Sequence, residues 1–103
     1  LSIYYATGAA TLDAAGEATV QQAIAALNAS PAARVAITGY TDATGNRAAN
    51  QELAKNRAVA VRDALQRAGV AADRITMAPP VEVQANAGGD DRAARRVDLT
   101  ITP

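Results

Sequence analysis

The apolar residues of this chain change period along its length, and that alternation limits the possible folds more than any single motif does. Near the C-terminus Val97, Leu99 and Ile101 alternate with Asp98, Thr100 and Thr102, the two-residue period of a half-buried strand. From about Leu12 to Asn28 the period lengthens: Val20, Ile24 and Leu27 recur at i, i+4 and i+7, with Asp13 and Glu17 in front and Ser30-Pro31 behind, which predicts an amphipathic helix. Arg34 to Tyr40 reads as a strand running into a polar loop that ends at Gly45-Asn46. Ala48 to Ala68 reads as the longest helix, closed by Gly69 with Arg67 in its last turn. Leu1 to Ala6 is a strand candidate suited to an edge, Arg74 to Ala78 a short strand stopped by Pro79-Pro80, and Gln84 to Asp91 a surface loop. The order strand, helix, strand, helix, strand, loop, strand predicts an α/β (α+β) sandwich: one mixed four-stranded sheet with both helices packed on one face.

With 103 residues, the chain can bury one modest core, so residues 1–103 are expected to form one domain. That core has to be assembled from Ala, Val, Ile and Leu, because the sequence holds twenty-eight alanines, no Phe and no Trp, and thin helices should therefore pack closely. Cys and His are absent, which removes thiol nucleophiles, disulfides, ordinary zinc sites and imidazole acid–base chemistry. No base is evident to activate Ser2, Ser30 or a threonine, so the chain reads as a non-enzyme without a cofactor. Ten basic and ten acidic side chains cancel, and no basic stripe marks a nucleic-acid binder. Nine of the ten basic residues are arginine, the residue suited to planar carboxylate pairing. Asp42, Thr44 and Asn46 alternate like the start of a calcium loop, but the glycine comes too early and no acid closes the loop, so no metal site is expected. No apolar run is long enough to cross a bilayer, and any anchor or signal is expected outside Leu1 to Pro103.

The informative anomaly is on the second helix. Leu53, Val61 and Leu65 should mark its buried stripe, and Arg57, four positions from both Leu53 and Val61, lies only about 40° from each around the helix. A guanidinium in an apolar seam must snorkel to water or meet an acid. Asp42, in the preceding loop, is the nearest candidate. The pair is either a structural ion bridge tying loop to helix, or two charges held apart so that Asp42 receives an ammonium while Arg57 grips a carboxylate through its planar fork. An amino-acid zwitterion would match the second arrangement. Free N–H groups at the helix start, near Ala48 to Asn50, would favour the same carboxylate.

These residues fall into a pattern. Gly39-Tyr40-Thr41-Asp42, Gly45, Asn50, Leu53, Arg57-Ala58, Val61, Leu65, Gly69, Arg74-Ile75 and Arg95-Arg96-Val97-Asp98-Leu99 resemble the OmpA-like peptidoglycan-binding domain of outer-membrane protein A, peptidoglycan-associated lipoprotein and flagellar motor stators. Tyr4 to Leu12 is similar to that family's first strand and its turn into the first helix, so the likeness covers nearly the whole chain. It implies a βαβαβ-β domain that binds peptidoglycan non-covalently, with Asp42 and Arg57 holding the amino and carboxylate groups of diaminopimelate in the stem peptide. Thr41, Asn50 and Leu53 match positions that line or brace the pocket, and Ala6 and Thr7 match a turn that contributes backbone contacts. Asn50 as a helix cap and Leu53 as an ordinary core side chain are the alternatives. Arg95 or Arg96 would help orient glycan or peptide. The implied place is the periplasm, with attachment to the outer or inner membrane through a segment outside this chain. A second class of function, a diverged envelope interaction module using the Pro79-Pro80 and Gly88-Gly89 loops, stays open.

Overall fold

In the computed structural model, residues 1–6, 8–42, 46–83 and 94–103 are described, Asp42 by its backbone alone. The chain runs β1 (Ser2–Tyr4), α1 (Ala14–Ala29), β2 (Arg34–Asp42), α2 (Arg47–Arg67), a 3₁₀ turn (Ala72–Arg74), β3 (Ile75–Met77), β4 (Val81–Val83) and β5 (Arg96–Thr102). The sheet order is β1-β5-β2-β3, with β4 also on β2; β5 is antiparallel to both neighbours, whereas β3 and β4 run parallel to β2. The sheet is therefore mixed, as the sequence suggests, and β1 lies at an edge.

Among the described residues it has five strands and not four. Pro79-Pro80 interrupts the outer strand without ending it: β3 pairs with Val35 to Ile37, and β4 resumes against Tyr40 to Asp42. Ala78 keeps one ladder bond, its N–H donating to the Ile37 carbonyl at 2.9 Å, before the two prolines, which have no N–H to give. The expected loop from Gln84 to Asp91, with Gly88-Gly89 inside it, lies outside the described residues.

Both helices begin on side-chain caps. The Asp13 carboxylate accepts the Gly16 N–H at 2.8 Å, and the Asn46 side-chain oxygen accepts the Ala49 N–H at 3.0 Å. Asn46, not Asn50, thus caps α2. At the other end Gly69 turns to φ +98°, and Val70 donates to the Leu65 carbonyl at 3.0 Å, a left-handed helix stop that a Cβ would strain. α1 has no basic residue in its own last turn. Arg74 supplies one from the 3₁₀ turn, donating to the carbonyls of Leu27 at 2.8 Å, Ser30 at 3.0 Å and Ala33 at 2.9 Å.

The core lies between the sheet and the two helices. Ile3, Val35, Ile37, Val97 and Leu99 from the sheet meet Val20, Ala23 and Leu27 of α1 and Ala58, Val61 and Leu65 of α2. Fully burying each large aliphatic side chain stabilises the fold by about 1.5–3 kcal/mol. Where the large side chains run out, the backbones close in. A Cβ on Gly39 would sit 2.5 Å from the Ala54 carbonyl oxygen, so α2 rests directly on β2 at that point. The buried face of α2 runs through Ala54, Arg57, Ala58, Val61 and Leu65, whereas Leu53 is half-buried and outside the core cluster. The expected stripe is thus rotated by one residue at its N-terminal end, because alanine fits the close contact with Gly39 and leucine does not.

Candidate functional site

α2 is tied to two other segments near its N-terminal half: Arg57 to the chain leaving β1, through the carbonyls of Ala6 and Ala9, and Ala54 to Gly39 of β2, the strand that ends at Thr41-Asp42. Arg57 is at the centre and is only 2% exposed. Its Nε donates to the Ala9 carbonyl at 2.7 Å and its Nη2 to the Ala6 carbonyl at 3.2 Å, so one edge of the guanidinium pins the segment between β1 and α1. That corrects the expectation of a free fork: the Nε–Nη2 edge is committed to backbone, and the other donors take no hydrogen bond among the described residues.

The Tyr5 ring lies under the same guanidinium, 4.9 Å from its centroid to Cζ. Tyr5 is held by backbone on both sides, its N–H donating to the Arg95 carbonyl at 2.8 Å and its carbonyl accepting from Arg95 Nε at 3.0 Å. Burial lowers the Arg57 pKa, the Tyr5 ring acts against that, and Arg95 lowers it further. No carboxylate pairs with Arg57 among the described residues. The carboxylate of Asp42 lies outside them, so the spacing between the two charges does too.

The other residues singled out by sequence take varied places. Thr41 is buried, in register with Glu82 of β4. Asn50 is half-buried in the first turn of α2, its N–H donating to the Asn46 carbonyl at 3.0 Å. Ala6 contributes its carbonyl to Arg57. Thr7 lies outside the described residues, as does Thr44 of the calcium-like alternation. Arg96 lies over the Tyr40 ring at 3.8 Å and bonds Asp98, while Arg95 is bound to Tyr5 as above.

Sequence reading missed Tyr5, Ala9, Arg47 and Glu82. Arg47, in the first turn of α2, pairs with Glu82 in two-point fashion, Nε to Oε1 and Nη2 to Oε2, the second at 2.6 Å. The hydrogen bond from Arg47 is the main reason that the Glu82 pKa is lowered. This is a planar carboxylate fork of the kind the arginine-rich composition suggests. Elsewhere, Arg57 and Arg74 donate to main-chain carbonyls, and Arg95 Nε donates to that of Tyr5. A Val-Glu-Val run straight after two prolines was the available signal for β4 and its acid.

Known proteins resemble this arrangement over nearly its full length. A family model described as the OmpA family matches residues 4–97. Probable lipoprotein YiaD of Escherichia coli is 33% identical over 106 residues, covering 99% of this chain and 48% of the relative. Peptidoglycan-binding protein ArfA of Mycobacterium tuberculosis is 40% identical over 79 residues, covering 73% of this chain and 24% of that protein. The chain therefore spans half or less of the length of these curated relatives. Among solved structures, the peptidoglycan-associated lipoprotein from Burkholderia pseudomallei matches with a TM-score of 0.80 at 30% identity, over 98% of this chain and 89% of that one. The C-terminal domain of Helicobacter pylori MotB, at 16% identity and a TM-score of 0.71 over 98% of this chain and 82% of that one, shares the fold. Fold, motif and relatives agree: this chain belongs to the OmpA family.

Proposed function

We propose that residues 1–103 form a single module that binds peptidoglycan non-covalently through the diaminopimelate residue of its stem peptide. The observation that carries the reading is Arg57, a guanidinium almost fully buried, pinned on one edge to the Ala6 and Ala9 carbonyls and faced by a second cation, Arg95, with no carboxylate against it among the described residues. Such a group gains most from an anion delivered from outside. In this reading the remaining Arg57 donors take the diaminopimelate carboxylate and Asp42 takes its ammonium. Thr41, Asn50, Leu53 and the backbone of Ala6 and Thr7 shape the walls. The likeness to a protein named as peptidoglycan-binding and to a peptidoglycan-associated lipoprotein supports the same ligand. The module makes and breaks no bond. It holds whatever it is joined to against the wall, on the periplasmic side of the membrane, with its tether outside this chain.

The test is co-sedimentation with purified diaminopimelate-type sacculi, with wild type beside Asp42→Ala and Arg57→Lys and with folding of each checked by circular dichroism. Wild type should pellet with the wall, and both folded variants should stay largely in solution. A wild type left in the supernatant defeats wall binding, and folded variants that pellet like wild type defeat the assigned pocket.

A second reading has one observation in its favour. A largely apolar groove of about 360 Å³, lined by Val59, Met77, Pro79 and Pro80 with Lys55 and Arg62 among its walls, runs between α2 and the interrupted outer strand. An envelope protein carrying acidic and apolar side chains would suit it. Retention of such a partner by a module that ignores sacculi would favour that reading.

A further inference from the structure

Both helices cover one face of the sheet, and among the described residues no helix lies on the opposite face. On it Tyr4 of β1 pairs with Arg96 of β5, the Arg96 guanidinium lies 3.8 Å from the centroid of the Tyr40 ring on β2, and Tyr40 is in register with Val81 of β4. Alternate residues of the same strands, Ile3, Val97 and Leu99, are buried towards the helices, which fixes the Tyr4–Arg96–Tyr40–Val81 row on the other side. Tyr4 is 39% exposed and Val81 42%. Four neighbouring strands make a row about 14 Å long.

The charge in that row is already balanced. Arg96 Nε donates to Asp98 Oδ1 at 3.1 Å, and Ser2 Oγ donates to the same oxygen at 2.7 Å. The platform thus carries two tyrosine rings, is edged with hydroxyl and carboxylate oxygens, and has its guanidinium paired with a carboxylate. That combination suits a neutral polymer that has apolar ring faces and hydroxyl and amide groups along its edges, and it suits a strongly charged ligand poorly. It is also continuous with the proposed pocket, because Tyr40 is two residues before Asp42 on the same strand.

We infer that the helix-free face, along Tyr4, Arg96, Tyr40 and Val81, receives the sugar chain of the polymer whose stem peptide enters the pocket. The inference rests on the peptidoglycan reading. Sugar rings lie across the tyrosines while Ser2, Asp98 and Arg96 meet their hydroxyl and amide groups.

Three probes separate the two surfaces: a diaminopimelate-containing stem tripeptide without sugar, a disaccharide-tripeptide, and an oligomer of N-acetylglucosamine, which is a neutral glycan free of peptide. Each is titrated into wild type, into Tyr4→Thr/Tyr40→Thr, which keeps β-favouring residues, and into Tyr40→Phe, which keeps the ring. The double variant should lose about tenfold in affinity for the disaccharide-tripeptide, with tripeptide affinity unchanged and Tyr40→Phe near wild type. Peptide-free glycan should shift the backbone amide resonances of Tyr4, Tyr40 and Arg96 in wild type. If sugar adds nothing to tripeptide affinity and the neutral glycan oligomer moves none of those resonances, the glycan platform is overturned while the pocket stands. If the tripeptide fails to bind wild type, the pocket falls, and glycan shifts on this face would still support the platform.

Discussion

Tyr5 shows what one side chain can do on the buried side of this site. Its ring supports Arg57, yet its hydroxyl is buried with no hydrogen-bond partner among the described residues. Removing that oxygen while keeping the ring should cost nothing: Tyr5→Phe is expected to hold or raise stability by up to about 1 kcal/mol, read by urea unfolding. Burial, opposed by Arg57 and reinforced by Asp13, pushes the Tyr5 pKa up to about 12 from 10.0. A tyrosine that binds its proton more tightly when folded stabilises fully below its unfolded pKa, and that stabilisation is lost as pH rises through the folded one. Stability should therefore fall as pH rises from about 10 to 12, and the fall should be absent in Tyr5→Phe. Arg57→Lys tests the other half of the stack. An ammonium cannot span the Ala6 and Ala9 carbonyls as the guanidinium does, so a loss of about 1–3 kcal/mol in unfolding free energy is expected before any ligand is added.

Between elements, the closest approach and the longest reach are both made by small numbers of atoms. Gly39→Ala would drive a Cβ into the Ala54 carbonyl and push α2 off β2, with an expected loss of about 1–3 kcal/mol and weaker sacculus binding, since Arg57 is one turn further along α2. Arg74→Ala would strip α1 of its C-terminal cation and take a donor from three carbonyls, of which that of Ser30 keeps the Ala33 N–H; a loss of about 2 kcal/mol should appear in thermal and urea unfolding alike. Most elements could be read from sequence because each declares its own period: β5 by alternation, α1 and α2 by caps and apolar spacing. The fifth strand could not, since three residues behind two prolines have no period to show, and the pairing is supplied by the extension of β2 to Asp42. The rotation of the α2 face was equally hidden, because alanine is at home inside or outside a helix and only contact with Gly39 decides. At the site, Arg57 stood out as a charge in an apolar seam. Its backbone partners did not, because any residue supplies a carbonyl and only the fold says which one is near.

At the scale of the whole molecule, burial of the central cation changes how binding should respond to salt. An exposed two-point grip would be screened within a Debye length, but a guanidinium that is 2% accessible and surrounded by protein is screened much less. Wild-type association with sacculi is thus expected to weaken only a few-fold between about 0.05 and 0.5 M salt, measured by co-sedimentation. The exposed Arg47–Glu82 fork should behave in the opposite way, with Glu82→Gln carrying a small stability cost that vanishes at high salt. As pH falls through the lowered pKa of Glu82, the contribution of that pair is lost, while above the ordinary carboxylate range it is fully present.

The interruption at Pro79-Pro80 has a consequence beyond topology. The two outer margins of the sheet are three-residue strands, and one of them breaks off at paired imino acids that offer no hydrogen to a visitor. Among the described residues, neither margin gives a stray polypeptide much length to copy itself onto, which disfavours the stitching of crowded copies into fibres.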